Sequence, residues 1–316
     1  KAGDPADAAT MWESSGEGEF TVENTTRDHF GTDVILSNKS EDRDLVSKYR
    51  IRNILQKYSD HISTPILMGK DEYKEDKLIE TGEWEAVNQG SAIWARPKSE
   101  ITEDQYKEFF HHLSHDSSDP LCWTHNKVEG RNEYIQLLYV PSTVPYDLWD
   151  RESVHGLKLY VKRVFIMDDS SKLLPRYLRF IRGVIDSEDL PLNVSREILQ
   201  QTRDLRVIRD GTTKRVLSML EDLAANRAAD YDKFWAMFGN VLKEGLGEDP
   251  SNKDRIAKLL RFVSTSSEGK PSVTLEGYIS RMKTGQNSVY YVTGETTEAA
   301  AKSPLLELFR KKDIEV

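Results

Sequence analysis

From about Arg206 to Val263 the apolar residues fall at helical spacing almost throughout. Val207, Val216, Leu217, Leu220 and Leu223 form one stripe, Phe234, Met237, Phe238, Val241 and Leu242 a second, and Ile256, Leu259 and Leu260 a third. A helix with one apolar stripe is stable only when that stripe meets another. The segment 206–265 is therefore expected to be a three-helix bundle, with "GLGEDPSNKD" separating the last two helices. Such a bundle leaves no room for a catalytic pocket of its own, so any chemistry has to come from elsewhere in the chain.

The preceding segment, 85–205, has a different pattern. "KSEITEDQYKEFFHHLSH" carries Thr102 with Gln105 three residues later, the capping-box signature of a helix start. Residues 133–141 ("EYIQLLYVP") and 157–167 ("LKLYVKRVFIM") read as strands, and 175–186 ("PRYLRFIRGVID") as a helix after the second of them. Strands joined through helices predict a layered α/β subdomain. Within 157–167 the alternation changes phase at Phe165, which leaves the exposure of that ring ambiguous.

The flanks complete an α/β (α+β overall) organisation. Residues 19–24 and 31–37 alternate like two short strands, and from Asp42 to about His61 the spacing turns helical until Pro65 closes it. Residues 68–91 are charged and predict a linker or a solvent-exposed hairpin, with the short charged linker itself at 67–84. The last segment, 266–316, reads helix (274–282), strand (288–294), helix (297–312) and strand (313–316), a second and smaller α/β unit. The chain opens without an initiator methionine and closes on an apolar alternation, so it is expected to be a piece of something longer.

Composition narrows the function classes. Lys plus Arg number 44 against 53 for Asp plus Glu, a formal charge of −9, which argues against binding nucleic acid through its phosphates. No apolar run approaches the roughly 18 residues of a membrane span. The single cysteine, Cys122, excludes an internal disulfide framework and fits a reducing compartment, so a cytoplasmic protein is expected.

Few residues look chemically active. His111, His112, His115 and His125 come near Cys122, and His111 and His115 share a helical face, but no second cysteine or acidic ligand stands at zinc-site spacing. They read as a solvated surface cluster, with no metal expected. Gly16 and Gly18 lack a third glycine and a following helix, so they build no phosphate cradle. Trp94, in "SAIWARPKSEIT", either caps the core of the α/β layer or stands partly exposed as an aromatic anchor for a partner.

One stretch resists a bland reading. "EDLPLNVSREILQ" (188–200) places Arg196 in what reads as the first turn of a helix, where the peptide dipoles already leave partial positive charge. The bland alternative is a surface arginine paired with Glu197 or Asp204. Against that, Asn193 and Ser195 offer cap oxygens that define the turn, and Gln200 lies four residues on, on the same helical face. A guanidinium held there without a local anion suits a phosphate arriving from another domain, the logic of an arginine finger.

These residues resemble a known family. "DSEDLPLNVSREILQ", with "LKLYVKRVFIMDD", "SAIWARPKSEIT", "KYSDHI" and "AKLLRF", is closely similar to the heat-shock protein 90 family of ATP-dependent chaperones, in order along essentially the whole chain. The very short linker after "KYSDHISTPI" is most similar to the bacterial members. The resemblance implies that 1–66 are the last part of a two-layer α/β N-terminal ATPase domain and that about 85–316 are most of a middle domain. It implies that Arg196 contacts the γ-phosphate of ATP, that Gln200 supports the closed state and that Thr32 lies near the nucleotide. Phe165 is similar to a ring that packs near the docked N-terminal domain, and Trp94 to a tryptophan implicated in client contact. The implied cofactor of the full-length protein is ATP with Mg2+. Its implied partners are unfolded or partly folded clients, its own N-terminal domain and a second copy of itself. The family's water-activating glutamate, adenine-binding aspartate, glycine-rich lid and dimerisation domain have no counterpart in this sequence. The chain alone is therefore expected neither to bind ATP tightly nor to hydrolyse it. The alternative is a client-binding scaffold module with no catalytic share, using Trp94.

Overall fold

A computed structural model describes residues 9–28, 30–38, 46–74, 77–130, 132–150, 156–168, 170–190 and 203–316. The chain divides into two compact units, Lys1–Ile51 and Arg52–Val316. In the first, β1 (Ala9–Glu13) and β2 (Thr21–Thr25) pair antiparallel, with Trp12 stacked on Phe20 at 6.1 Å. The partner of β2 is thus the segment before it. Residues 31–37, expected as a strand, run as irregular chain, with Val34, Ile35 and Leu36 exposed. Alternation alone cannot create a strand without a neighbouring edge to pair with.

The second unit opens within α1 (Lys48–Ser59), the helix predicted for this stretch. Next comes a hairpin of β3 (Leu67–Lys74) and β4 (Lys77–Ala86), one of the two forms expected of the charged stretch. Its two ends are joined where Val87 N donates to the Ile66 carbonyl at 2.9 Å. Helix α2 (Glu103–Ser114) starts at the predicted capping box: Thr102 Oγ1 accepts from Gln105 N, and Gln105 Oε1 accepts from Thr102 N.

A five-stranded sheet forms the centre of the unit. Strands β5 (Cys122–Val128), β6 (Tyr134–Val140), β7 (Leu157–Val161), β8 (Val164–Met167) and β9 (Arg182–Ser187) lie in the order β5-β6-β9-β7-β8. All pairs are antiparallel except β7 with β9. Two expectations are corrected here. The stretch 157–167 is not one strand but a hairpin, folded at Lys162 and Arg163, whose φ values are 49° and 67°. The phase change at Phe165 was the trace of that turn. The stretch 175–186 is not a helix: the one-turn α3 (Ser170–Leu173) and a short 3-10 turn at Arg176–Leu178 lead into β9, the central strand. Every residue of β9 is buried, so it shows no in–out alternation, and its apolar residues happen to recur at helical intervals. Gly183 lies so close to β6 that a Cβ there would sit 2.3 Å from the Leu137 carbonyl oxygen.

The two faces of the sheet carry different cores. Leu137, Tyr139 and Val184 pack with Trp94, Tyr106, Phe110 and Leu113 beneath α2. Leu138, Val140 and Ile185 pack on the opposite face with α4 (Arg203–Asn226), α5 (Ala228–Glu248) and α6 (Lys253–Leu259). These are the predicted three helices, and their core is continuous with the sheet rather than separate from it.

The last segment keeps its helices but not its strands. Thr274 caps α7 (Leu275–Ser280), while α8 (Thr297–Ala301) and α9 (Leu306–Lys311) divide the predicted helix around Pro304. Residues 288–294 and 313–316 form no strand. The end of the chain is instead fastened by side chains. Glu315 accepts from Arg281, Ser264 and Ser266, while its carbonyl accepts from the Tyr278 hydroxyl at 2.6 Å.

Candidate functional site

Strand β9 leads directly toward the segment that carries Arg196, and its exit is stapled. The buried Ser187 hydroxyl accepts from Asp189 N at 3.3 Å and Leu190 N at 3.2 Å. Glu133 N donates to Asp189 Oδ2 at 2.6 Å, and Glu188 N donates to the Glu133 carbonyl at 3.1 Å. Leu190 then points inward as part of the main core. Residues 191–202 lie outside the described residues, and with them Arg196, Gln200 and the cap candidates Asn193 and Ser195. The chain resumes in α4, whose first turns bury Leu205 and Ile208 in the same core. Both ends of the arginine segment are therefore anchored on one body.

Beneath the β9 exit lies a buried polar and aromatic layer. Trp94 is 0% exposed, and its indole N–H donates to Asp186 Oδ2 at 2.8 Å. Asp186 Oδ1 accepts from Arg163 N at 3.1 Å, so one carboxylate ties Trp94 to the β7–β8 turn. Burial raises the Asp186 pKa above the usual carboxylate range, opposed by those two hydrogen bonds. His61 sits edge-on to Trp94 at 4.6 Å and to Tyr160 at 5.7 Å. Burial lowers its pKa, while the Ser91 carbonyl and Asp60 pull the other way and His112 and Lys158 add to the lowering. On the other side His125 Nε2 donates to the Trp94 carbonyl at 2.8 Å, so its Nδ1, 2.7 Å from the Tyr106 hydroxyl, is the acceptor in the neutral ring. Burial holds that ring below its ordinary pKa.

Of the two readings of Trp94 the structure has the core one, since its ring is buried among His61, Phe109 and Tyr160 and its N–H is bonded inside. One sequence expectation changes. His125 does not belong to a solvated cluster; it is buried, with both ring nitrogens engaged. His111, by contrast, faces Asp119 at 3.1 Å on the surface. Among the described residues no group of three or more His, Cys, Asp or Glu could hold a metal ion. Burial pushes the Cys122 thiol up to about 12, which leaves it a poor nucleophile.

Phe165 is buried, with its ring 5.7 Å from Tyr58 and 5.7 Å from Tyr160. Thr32 is exposed on irregular chain of the first unit, beside Asp33, which pairs with Arg27 at 2.8 Å.

The strap after α1 was not legible in the sequence. Asn88 Nδ2 donates to the Ile62 and Thr64 carbonyls at 3.1 Å each, and its Oδ1 accepts from Ile66 N at 2.7 Å. Asp60 Oδ1 accepts from Gln89 N, and its carbonyl from Gly90 N. This holds residues 60–66 beside the β7–β8 turn, where a cleft of about 360 Å³ is lined by Ile62, Ser63, Thr64, Lys162, Arg163 and Glu188. Also unforeseen are Tyr146 and Trp149, 97% and 60% exposed after β6. Their signal was "PSTVPYDLWD", where two prolines stop the strand and leave aromatic rings with no helical or strand period.

Comparison with known proteins agrees with this architecture. The family model described as "Hsp90 protein" matches residues 69–316. The chain is 57% identical to the chaperone protein HtpG of Bordetella avium, over 98% of this chain and 50% of that protein. It is also 57% identical to HtpG of Bordetella pertussis, over 100% of this chain and 50% of that one. The chain thus spans about half the length of these relatives. The solved middle domain of a Plasmodium falciparum heat shock protein superposes with a TM-score of 0.64 at 34% identity, covering 71% of this chain and 88% of that one.

Proposed function

The chain belongs to the Hsp90 family, and from that premise we propose that it is the central part of an ATP-dependent molecular chaperone of the bacterial type. In this reading, residues 85–205 and the helices after them act as the middle domain. Arg196 reaches the γ-phosphate of ATP when an N-terminal ATPase domain docks, and Gln200 supports the closed state. Thr32 approaches the nucleotide from the first unit. The observation that carries the reading is the stapling of the chain on both sides of 191–202: Ser187, Glu133 and Asp189 before it, Leu205 and Ile208 after it. An arginine on a tether anchored at both ends can be delivered to one point repeatedly, which charge stabilisation in phosphoryl transfer requires. Such an arginine is worth on the order of 10³-fold or more in rate in related systems.

ATP with Mg2+ would supply the phosphoryl chemistry in the full-length protein; the residues of this chain supply positioning and positive charge. The chain by itself is proposed to be inactive, because Thr32 and Arg196 do not constitute a nucleotide pocket. The full-length protein is read as a cytoplasmic homodimer that acts on unfolded or partly folded proteins. No helix among the described residues is long and apolar enough to cross a membrane.

The test is Arg196→Ala in the full-length protein. Turnover of ATP should fall by on the order of 10³-fold while nucleotide affinity stays nearly unchanged. A strongly weakened affinity, or unchanged turnover, would argue against the role.

A client-binding share has its own support, at a different place from the one expected. Tyr146 and Trp149 expose large aromatic surface, whereas Trp94 exposes none. Replacing Tyr146 and Trp149 together by serine should impair suppression of client aggregation and spare ATP turnover. The reverse result would reject this surface.

A further inference from the structure

The cleft of about 360 Å³ beside the β7–β8 turn gathers side chains from three parts of the chain. Ser63 and Thr64 come from the strap, Lys162 and Arg163 from the turn and Glu188 from the exit of β9, with Ile62 beside them. The turn is a two-residue hairpin loop, since Val161 pairs with Val164, and both of its residues have positive φ, 49° and 67°. In that type I′ geometry Asn-Gly is the favoured sequence. A side chain in the left-handed region costs about 1–2 kcal/mol per residue, and two adjacent cations repel each other besides. The backbone is nevertheless fixed there: Lys162 N donates to the Ser187 carbonyl at 3.0 Å and Arg163 N to Asp186 Oδ1 at 3.1 Å. Among the described residues neither the Lys162 ammonium nor the Arg163 guanidinium forms an ion pair. Asp186 acts on Arg163 only at longer range, its two oxygens being taken by Trp94 and by Arg163 N.

The facing strap is stripped of acceptors. Asn88 Nδ2 takes the carbonyls of Ile62 and Thr64, at 3.1 Å each, while Ser63 and Thr64 themselves are exposed with hydroxyls that can donate. We propose that this cleft binds a phosphate-type oxyanion, free or as a phosphate monoester. The Lys162 ammonium and the Arg163 guanidinium hold it from the turn, and the hydroxyls of Ser63 and Thr64 from the strap. Lysine supplies a compact charge and arginine a fork that matches two phosphate oxygens. Donors on two sides of a cleft suit a tetrahedral anion better than a planar carboxylate. A water takes up about 30 Å³ in the liquid, so the cleft has room for such an anion together with part of its hydration. Two cations against the one carboxylate of Glu188 leave the lining net positive. The bound anion bridges the strap to the β7–β8 turn, next to the residue from which the chain departs toward Arg196.

Amide spectra of the isotope-labelled chain, titrated with sodium phosphate at constant ionic strength, test the site. Saturable shifts are expected at Ser63, Thr64, Lys162 and Arg163. Glycerol phosphate is the second probe: tighter binding than inorganic phosphate identifies a monoester as the ligand, and weaker binding the free ion. Phosphate shifts that never saturate would overturn the proposal, as would sodium acetate binding equally well, since that marks a general cationic surface. Lys162→Gln and Arg163→Gln should each weaken phosphate binding by about tenfold or more, and Glu188→Gln should strengthen it. The double variant Lys162→Asn, Arg163→Gly installs the favoured type I′ sequence. It should therefore keep or raise the urea midpoint while abolishing phosphate binding. Undiminished binding in that variant would reject the two cations as the holders of the anion.

Discussion

At the scale of single residues, Trp94 shows how a side chain's role follows from partners far along the chain. Its indole N–H meets Asp186 across 92 positions of sequence, and its rings neighbour His61, Phe109 and Tyr160. Trp94→Phe keeps most of the apolar volume and deletes one donor, leaving a buried carboxylate oxygen unpaired. A loss of about 1–3 kcal/mol is expected. Trp94→Ala opens a cavity as well, and about 3–5 kcal/mol should be lost. Urea denaturation measures both, and equal midpoints for wild type and Trp94→Phe would show that the hydrogen bond contributes nothing. The carboxyl of Asp186 already holds its proton more readily than usual, and loss of the indole raises its pKa further. The penalty of Trp94→Phe belongs to the charged form, so it should shrink as the pH is lowered. None of this was visible in "SAIWARP", where small residues surround a tryptophan that could face either way. Asp186 was hidden for a related reason, since it ends an apolar run whose spacing imitates a helix.

Among the elements, those that stabilise themselves locally were legible and those that depend on a neighbour were not. The capping box at Thr102 and Gln105 and the three long apolar stripes are local, so α2 and α4–α6 lie where their patterns place them. The β7–β8 turn depends instead on Asp186 and on the Ser187 carbonyl, which receive the backbone N–H groups of Arg163 and Lys162. The end of the chain depends on Glu315. Hydrogen bonds from Arg281 hold its pKa at about 2, down from 4.5, with help from Ser264 and Ser266 and against the effect of burial. The unfolded state therefore binds a proton that the folded state refuses. The contribution of Glu315 is complete above pH 4.5 and disappears as the pH falls toward about 2. Hydrogen exchange at 264–267 should accelerate across that window. Glu315→Gln should remove the pH dependence, and an unchanged profile in that variant would exclude Glu315 as its source.

For the Arg52–Val316 unit as a whole, the central strands bind two cores into one. On β6, Leu137 and Tyr139 face one core while Leu138 and Val140 face the other, and on β9 Val184 and Ile185 divide in the same way. Neither core can melt without exposing a strand that the other needs. Tryptophan labelled with fluorine reports on both sides, through Trp94 in the first core and Trp235 in the second. Their resonances are expected to change at the same urea concentration. Separate midpoints would mean that the cores are independent. This arrangement also serves the proposed function, because the arginine segment leaves from β9 and returns into α4, the strand and helix that belong to the larger core.

Sequence by itself determined the family, the order of the α/β layer and the helical segment, the capped start of α2, and the candidacy of Arg196. Each rests on a short motif or on a period that a local stretch carries whole. The tertiary structure decided that 182–187 is the central strand, that Lys162 and Arg163 turn the chain, that Trp94 and His125 are interior, and that Asn88 fastens the strap. These depend on which distant backbone edge or buried partner is within about 3 Å, a distance at which hydrogen bonds form. Burial follows from that packing, and no period in the sequence encodes it.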